Sequence, residues 1–346
     1  MRLTAIRPPV WAEVALEKMA FDEKEGILSQ EILEAAREDA VRLFLVLGGV
    51  DTGKTTFTQI LAGELAKDKE VAVVDADPGQ SDIGPPTTIA WGHFPSGEAG
   101  KNFRPGPGPY GWGRAGWEDI KAQAIYFVGS TSPAGHLLPT ITGTKLTSDA
   151  ALHKADKVIV DTSGLISGGP GEALKRHKID ILRPDMIVAL ERERELEYVA
   201  RHCKGRKGMV LYRLPEVPGV KVKSALERAE HRRERFREYF KEARCLCLNL
   251  EEVSLVKEEW LNLSRLPLGT LRAPSGSEGR LSWEGQILNR LVSLRDEDGW
   301  DKALGIIEGA DEKTGSLTIY SPVNPEVKVV SIIPGRLRLT RAGEEL

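Results

Sequence analysis

The residues Gly48, Gly49, Val50, Asp51, Thr52, Gly53, Lys54 and Thr55 meet the spacing G-x-x-x-x-G-K-[ST] at every position. The apolar run "LFLVL" precedes them, and a helical pattern opening on Thr55 and Thr56 follows. In such a strand-to-helix turn, successive backbone N–H groups curl around phosphate oxygens, and the helix N-terminus adds partial positive charge. Gly48 to Thr56 are therefore the expected triphosphate-binding residues. Lys54 is suited to the β- and γ-phosphates, and the Thr55 hydroxyl to a Mg²⁺ ion.

A second chemical feature follows in "VAVVDADPGQSDIGPP", Val71 to Pro86. In an extended chain Asp75 and Asp77 point to one side, and at the carboxyl edge of a sheet that side faces a bound triphosphate. One carboxylate can hold metal, directly or through water, and the other can accept a proton from an incoming hydroxyl. Strand geometry does not say which of Asp75 and Asp77 takes which role, and Gln80 is within loop reach of the same space. "KVIVDTSGL", Lys157 to Leu165, ends a second strand in Asp161, a rival metal carboxylate that the sequence does not rank against Asp77.

These residues need strands that end side by side. Candidate strands are Arg42–Leu47, Val71–Asp75, Ile125–Gly129, Lys157–Asp161, Met186–Leu190 and Met209–Tyr212. Helical patterns lie at Lys54–Ala66, Gly171–Ile181 and Arg192–His202, and Ser29 is suited to cap a helix before them. Short Val/Ile/Leu runs alternating with helices indicate an α/β fold whose mostly parallel sheet is covered on both faces. The Gly-, Pro- and Trp-rich stretch Gly97–Asp119 reads as a surface excursion. Val222–Arg244 reads as one long basic helix. Beyond Cys245 come short alternating runs split by Gly, Asp and Pro, a β-rich domain with one helix candidate at Glu284–Val292. The expected divisions are a short N-terminal segment (1–40), a phosphate-loop core (41–244) with a basic segment at 223–244, and a β-rich C-terminal domain (245–346).

Composition narrows the function classes. A net charge of −3 makes any nucleic-acid contact a matter of a local basic patch. No apolar run reaches the roughly 18 residues of a membrane span, and the N-terminus has no apolar signal core. Three cysteines give no disulfide framework, and Cys245-x-Cys247 reads as a strand with both thiols on one face. A reducing cytoplasm fits this usage.

The phosphate loop alone leaves a GTPase, a partitioning-type ATPase, a mechanical ATPase and a kinase open. Guanine-specific enzymes usually carry N-K-x-D, which is absent. Partitioning ATPases carry a lysine just before the two glycines, where this chain has Leu47.

The ordered set "GGVDTGKTT", "DADPGQSDIG", "YFVGSTSPAGH", "VDTSGLISGGPG" and "RRERFREYF" resembles the 5′-hydroxyl polynucleotide kinases of RNA processing, and among them the short archaeal relatives. The resemblance runs from about Leu43 to Phe240 and extends weakly into the C-terminal strands. It implies transfer of the γ-phosphate of ATP to the 5′-hydroxyl of RNA, with single-stranded DNA as an alternative acceptor. Lys54 and Thr55 match the lysine and metal-binding hydroxyl, and Asp77 the general base. Thr131 and Ser132 match the loop that clasps substrate, and Arg232 and Arg237 the paired lid arginines. Where the family often has a Trp that stacks on a substrate base, this chain has Leu165, leaving Trp112 or Trp117 as substitutes. The N-terminal β domain of larger members has no counterpart before the first strand. Residue by residue, Arg228–Arg244 is also compatible with a solvated, salt-bridged helix face, because glutamates are interleaved with the arginines. The other function class left open is a phosphate-loop ATPase acting as a switch or scaffold of RNA processing without kinase activity.

Overall fold

The computed structural model describes residues 28–95, 120–256, 285, 287–311 and 314–346. The surface excursion, with Trp112 and Trp117, lies outside the described residues. The chain forms two compact units. The first is made by residues up to Gly84, 89–123 and 132–223, and the second by 85–88, 124–131 and 224–346.

The first unit is a sheet of β1 (Leu43–Gly48), β2 (Val71–Ala76), β3 (Thr88–His93), β5 (Lys157–Thr162), β6 (Met186–Glu191) and β7 (Val210–Pro215), in the order β7-β6-β1-β5-β2-β3. The pairings from β7 to β2 are all parallel. β1, β2, β5 and β6 are buried along their whole length. Strands covered on both faces need such unbroken apolar runs. The helices are α1 (Gln30–Arg37), α2 (Lys54–Leu65), α3 (Leu137–Leu152), α4 (Gly168–Leu182) and α5 (Glu197–Cys203). Ser29 caps α1 through a bond from Ile32 N to its Oγ, as its residue type requires. Crossovers from β1 to β2 and from β5 to β6 run in opposite directions across the sheet, and right-handedness then puts α2 and α4 on opposite faces.

Three features depart from the sequence expectation. β3 pairs antiparallel with β2: residues 77–87 are too few to recross the sheet, so the chain turns straight back. α3 has no strong helical signature, because Pro139, Gly143 and several threonines weaken its propensity. Its Thr140, Thr144 and Thr147 hydroxyls donate to carbonyls one turn earlier, at 2.7, 2.6 and 2.7 Å, and this satisfies a buried polar face. The helix expected from Arg192 starts only at Glu197, and the residues before it make a turn in which Arg194 has φ 60°.

The second unit contains α6 (Ala225–Tyr239), β4 (Ala124–Phe127), β8 (Arg244–Asn249), β9 (Ser254–Leu255), β10 (Arg290–Arg295), β11 (Asp301–Asp311), β12 (Ser316–Ser321) and β13 (Ser331–Arg338). The order β4-β11-β10-β13-β9 is antiparallel except for the β13–β9 pair, and β12 joins β11 to β8. Val292, Leu294, Ile307, Leu317, Ile319 and Ile332 form its core. The helix expected at Glu284–Val292 is cut short: Gly285 and Ile287 are helical, but the chain is strand from Arg290, where Val292 and Leu294 enter that core. The basic helix is shorter than expected. Ser224 and Glu227 open it with a capping box, and Phe236 and Phe240 are buried at its end before β8 begins. Cys245 and Cys247 are exposed and free on β8.

A buried carboxylate ties β4, β10 and β11 together. Asp301 accepts from Ser293 Oγ (2.7 Å), Phe127 N (2.7 Å) and Arg295 Nε (3.0 Å). Removing one partner of a buried charge pair costs about 3–5 kcal/mol. Asp301→Ala is therefore expected to lower the unfolding free energy of the second unit by about that amount, as read from a urea titration.

Candidate active site at the carboxyl edge of the parallel sheet

β1 hands directly into the phosphate loop. Gly48 sits where an added Cβ would come within 2.4 Å of Thr52 Oγ1 and 2.7 Å of Leu190 O. Gly53 has φ +89°, and its Cβ would meet Val217 at 2.4 Å, so both spacing and backbone demand glycine there. Asp51 takes the left-handed region too, at φ 56°, which short polar side chains tolerate. Thr52 Oγ1 donates to Gly49 O at 3.1 Å and Lys54 Nζ to Gly49 O at 2.6 Å. The Lys54 ammonium is thus held inside the curve of the loop. Burial pulls its pKa down, while Asp161, Asp77 and Asp51 pull it up. Thr56 is half-buried and Val50 is half-exposed.

Registry places the acids. Asp161 pairs with Val46 on one side and with Asp75 on the other, so β5 delivers its carboxylate between the loop strand and β2. Thr55 Oγ1 donates to Asp161 Oδ2 at 2.6 Å. Asp161 Oδ1 is buried with no hydrogen-bond partner. Burial pushes the Asp161 carboxyl up to about 6, against the pull of Lys54 and the Thr55 bond.

Asp75 is occupied differently. Its carboxylate accepts from Asp82 N (2.6 Å), Ile83 N (3.2 Å) and Asp77 N (3.2 Å), and from Ser81 Oγ at 3.4 Å. It organises the turn that follows β2, and burial pushes it up to about 8, helped by Asp82 and Asp161. Asp77 lies just past the strand end, half-buried, with Oδ1 accepting from Gly79 N at 2.9 Å. Gln80, in the same turn, donates to Gly79 O at 2.6 Å.

The structure therefore brings Lys54, Thr55 and Asp161 into one cluster, with Asp77 close enough for its charge to act on Lys54. Ser132 is exposed and accepts from Ala134 N at 3.2 Å in a local turn. Thr131 is half-buried in the second unit. Arg232 and Arg237 lie on α6, also in the second unit. Arg232 Nε donates to Glu345 Oε1 at 2.7 Å, and Arg237 is exposed. Leu165 is half-buried.

Sequence reasoning missed a set of supports around the loop. Arg192 Nη2 donates to Val50 O (3.3 Å) and Asp51 O (3.2 Å), and its Nε pairs with Glu216. Val217 N donates to Thr52 O at 3.0 Å, and Lys223 N to Asp51 Oδ2 at 3.3 Å. Gly164 packs so tightly that an added Cβ would lie 2.9 Å from Val50 N and Cα. The glycine of "DTSGL" was the only local signal, and it did not name its neighbour.

Residues 48–242 match the family described as mRNA cleavage and polyadenylation factor CLP1 P-loop. A polyribonucleotide 5′-hydroxyl-kinase of Methanocaldococcus jannaschii is 34% identical, covering 87% of this chain and 88% of the relative. One from Pyrococcus abyssi is 31% identical, covering 93% and 94%. The solved structure of a wild-type Clp1p–Pcf11p complex matches with a TM-score of 0.61 at 16% identity, over 89% of this chain and 77% of the solved one. At that identity the likeness speaks for the fold.

The close approach at Gly164 yields a test. Gly164→Ala pushes main chain of the phosphate loop and is expected to weaken ATP binding about tenfold or more, read by isothermal titration. Gly169, which has open space around an added Cβ, is expected to accept Ala with ATP affinity unchanged.

Proposed function

This chain belongs to the mRNA cleavage and polyadenylation factor CLP1 P-loop family, and from that membership we propose that it is a polyribonucleotide 5′-hydroxyl-kinase using ATP. The observation that carries the reading is the cluster of Lys54, Thr55 and Asp161 at the strand ends, with Asp77 beside it. Single-stranded DNA is a second acceptor to test. Cysteine usage, with Cys203, Cys245 and Cys247 all free, supports a cytoplasmic setting, and no helix among the described residues is long and apolar enough to cross a membrane.

The residues fit a Mg²⁺ ion. Asp161 Oδ1 is a buried oxygen without a partner, and the Thr55 hydroxyl, spending its proton on Asp161 Oδ2, has lone pairs left. Hard divalent cations in triphosphate sites take such oxygens along with phosphate and water. Thr55 and Asp161 would hold the ion, which would neutralise charge on the β- and γ-phosphates.

In the reaction, the RNA 5′-oxygen forms a bond to the γ-phosphorus while the bond from that phosphorus to the β–γ bridging oxygen breaks, and ADP leaves. Backbone N–H groups of Gly49 to Thr55 hold the phosphates, and Lys54 moves its donors from Gly49 O to phosphate oxygens. Asp77 accepts the proton of the 5′-hydroxyl; its Oδ2 has no partner among the described residues. Arg232 and Arg237 are the candidate cations for charge on the transferring group, with planar guanidinium forks suited to phosphate. Gln80, Thr131 and Ser132 are the candidate acceptor-strand contacts. No covalent enzyme intermediate is required: positioning and electrostatics carry the rate.

Transfer of labelled γ-phosphate to matched 5′-hydroxyl RNA and DNA oligonucleotides tests the assignment. Wild type is expected to label RNA. Lys54→Ala and Asp77→Asn are expected to lose about 100-fold or more in kcat, and Arg232→Ala about tenfold or more. ATP hydrolysis without labelled oligonucleotide would instead indicate the switch or scaffold class. The pH dependence has a defined sign. Asp161 holds a cation only when ionised, and its pKa is raised to about 6. The gain in ATP affinity on adding Mg²⁺ is therefore expected to be complete above that value and to shrink as pH falls below it, a trend that titrations with and without Mg²⁺ would show.

A further inference from the structure

Helix α4 buries two lysines, Lys175 and Lys178, completely, on the face of the sheet opposite Thr55. Lysines are almost never fully buried without a charged partner, and no carboxylate among the described residues lies at ion-pair distance from either. Lys175 Nζ donates to Thr162 Oγ1 at 3.0 Å and to Ser163 O at 2.6 Å. Thr162 Oγ1 in turn donates to Val46 O at 2.8 Å, which links the ammonium to the strand feeding the phosphate loop. Lys178 Nζ makes one long contact, 3.5 Å to Ala76 O, the last residue of β2. Burial pulls both pKa values down, that of Lys175 well below the ordinary lysine value, while Asp77 and Asp161 pull the other way.

These contacts fall on the two strand ends that matter. Lys175 touches the two residues immediately after Asp161, in the turn whose Gly164 packs on Val50. Lys178 touches the residue immediately before Asp77. The helix itself is fixed, since a Cβ at Gly171 would lie 2.7 Å from the backbone of Ile166. Packing alone does not call for lysine, because an apolar side chain of similar volume would fill the space without desolvating a charge. A third buried lysine gives the contrast. Lys157 bonds to Glu38 O and Val41 O, both at 2.6 Å, at the opposite end of β5. It closes the C-terminal end of α1, remote from the acids.

We propose that Lys175 and Lys178 are positioning residues of phosphoryl transfer, Lys175 fixing the strand end that carries Asp161 and Lys178 the strand end that carries Asp77. The proposal rests on the kinase reading above. From beneath the sheet, α4 sets the backbone on which both carboxylates stand, and neither lysine touches substrate. Displacements of about 1 Å at such groups cost up to about 100-fold in rate.

The test compares Lys175→Met, Lys178→Met, Lys175→Arg and Lys157→Met with wild type. It uses kcat and KM on a 5′-hydroxyl RNA oligonucleotide, thermal midpoints, and the affinity of a non-hydrolysable ATP analogue with and without Mg²⁺. Both inner methionine variants are expected to lose about tenfold or more in kcat with KM for ATP within about threefold of wild type. Lys175→Met is also expected to lose much of the Mg²⁺-dependent gain in analogue affinity, and Lys175→Arg to recover part of both. Lys157→Met is expected to lower the thermal midpoint and leave kcat unchanged. Wild-type kcat in both inner methionine variants, or a loss no larger than that of Lys157→Met at equal loss of thermal midpoint, would overturn the proposal. Should wild type itself transfer no phosphate, the kinase reading fails separately. The Mg²⁺-dependent analogue affinity then decides: diminished in Lys175→Met it supports the positioning role, and unchanged it overturns it. Where Lys175→Met does not fold, Lys178→Met and Lys175→Arg carry the same comparison.

Discussion

The hydrogen bond from Thr55 Oγ1 to Asp161 Oδ2 is the contact on which the site turns. It joins the first turn of the helix after the phosphate loop to the end of a strand that is paired on both sides. Whatever fixes that strand end fixes the loop strand and the Asp75–Asp77 strand at once. A hydrogen bond to a charged group contributes about 1.5–3 kcal/mol, while burying a carboxylate costs several. The bond therefore does not offset the burial alone, and one oxygen of Asp161 is left without a protein partner. An acid held dry and half-satisfied next to a phosphate cradle is a departure from ordinary folding rules, and such departures gather at functional sites.

Much of this was legible in the sequence because the signals are local. The phosphate loop is contiguous, and strand ends at Ala76, Thr162 and Glu191 come within a residue of their expected places because apolar runs stop abruptly at acids. What was not legible depends on partners far along the chain. Nothing near Arg192 says that its guanidinium bonds to Val50 O and Asp51 O. The α3 segment hides its helix because its buried face is threonine, whose hydroxyls are satisfied only once the helix exists. Asp75 and Asp77 look equivalent on paper, yet four hydrogen bonds commit Asp75 to building a turn. Those bonds, and not residue type, are what set the two apart.

The arginine helix shows the same limit from the other side. Its capping box and buried Phe236 make it a well-specified element of the second unit, whatever its charges do. Arg232 pairs with Glu345, and Arg233 with Glu344. Partly exposed pairs of this kind contribute about 1 kcal/mol or less, so an arginine can exchange such a partner for a phosphate at small cost. Glu344 and Glu345 thus partner these arginines without committing them permanently.

The packing of Gly164 on Val50 carries a historical consequence. The atoms in the way of a side chain at position 164 include the main-chain N and Cα of Val50, which every residue type at position 50 would present. No compensating substitution there can open the space. The two positions are therefore not free to covary: one can drift among side chains that reach solvent, as the half-exposed Val50 does, while the other is closed to drift for as long as the loop keeps its shape.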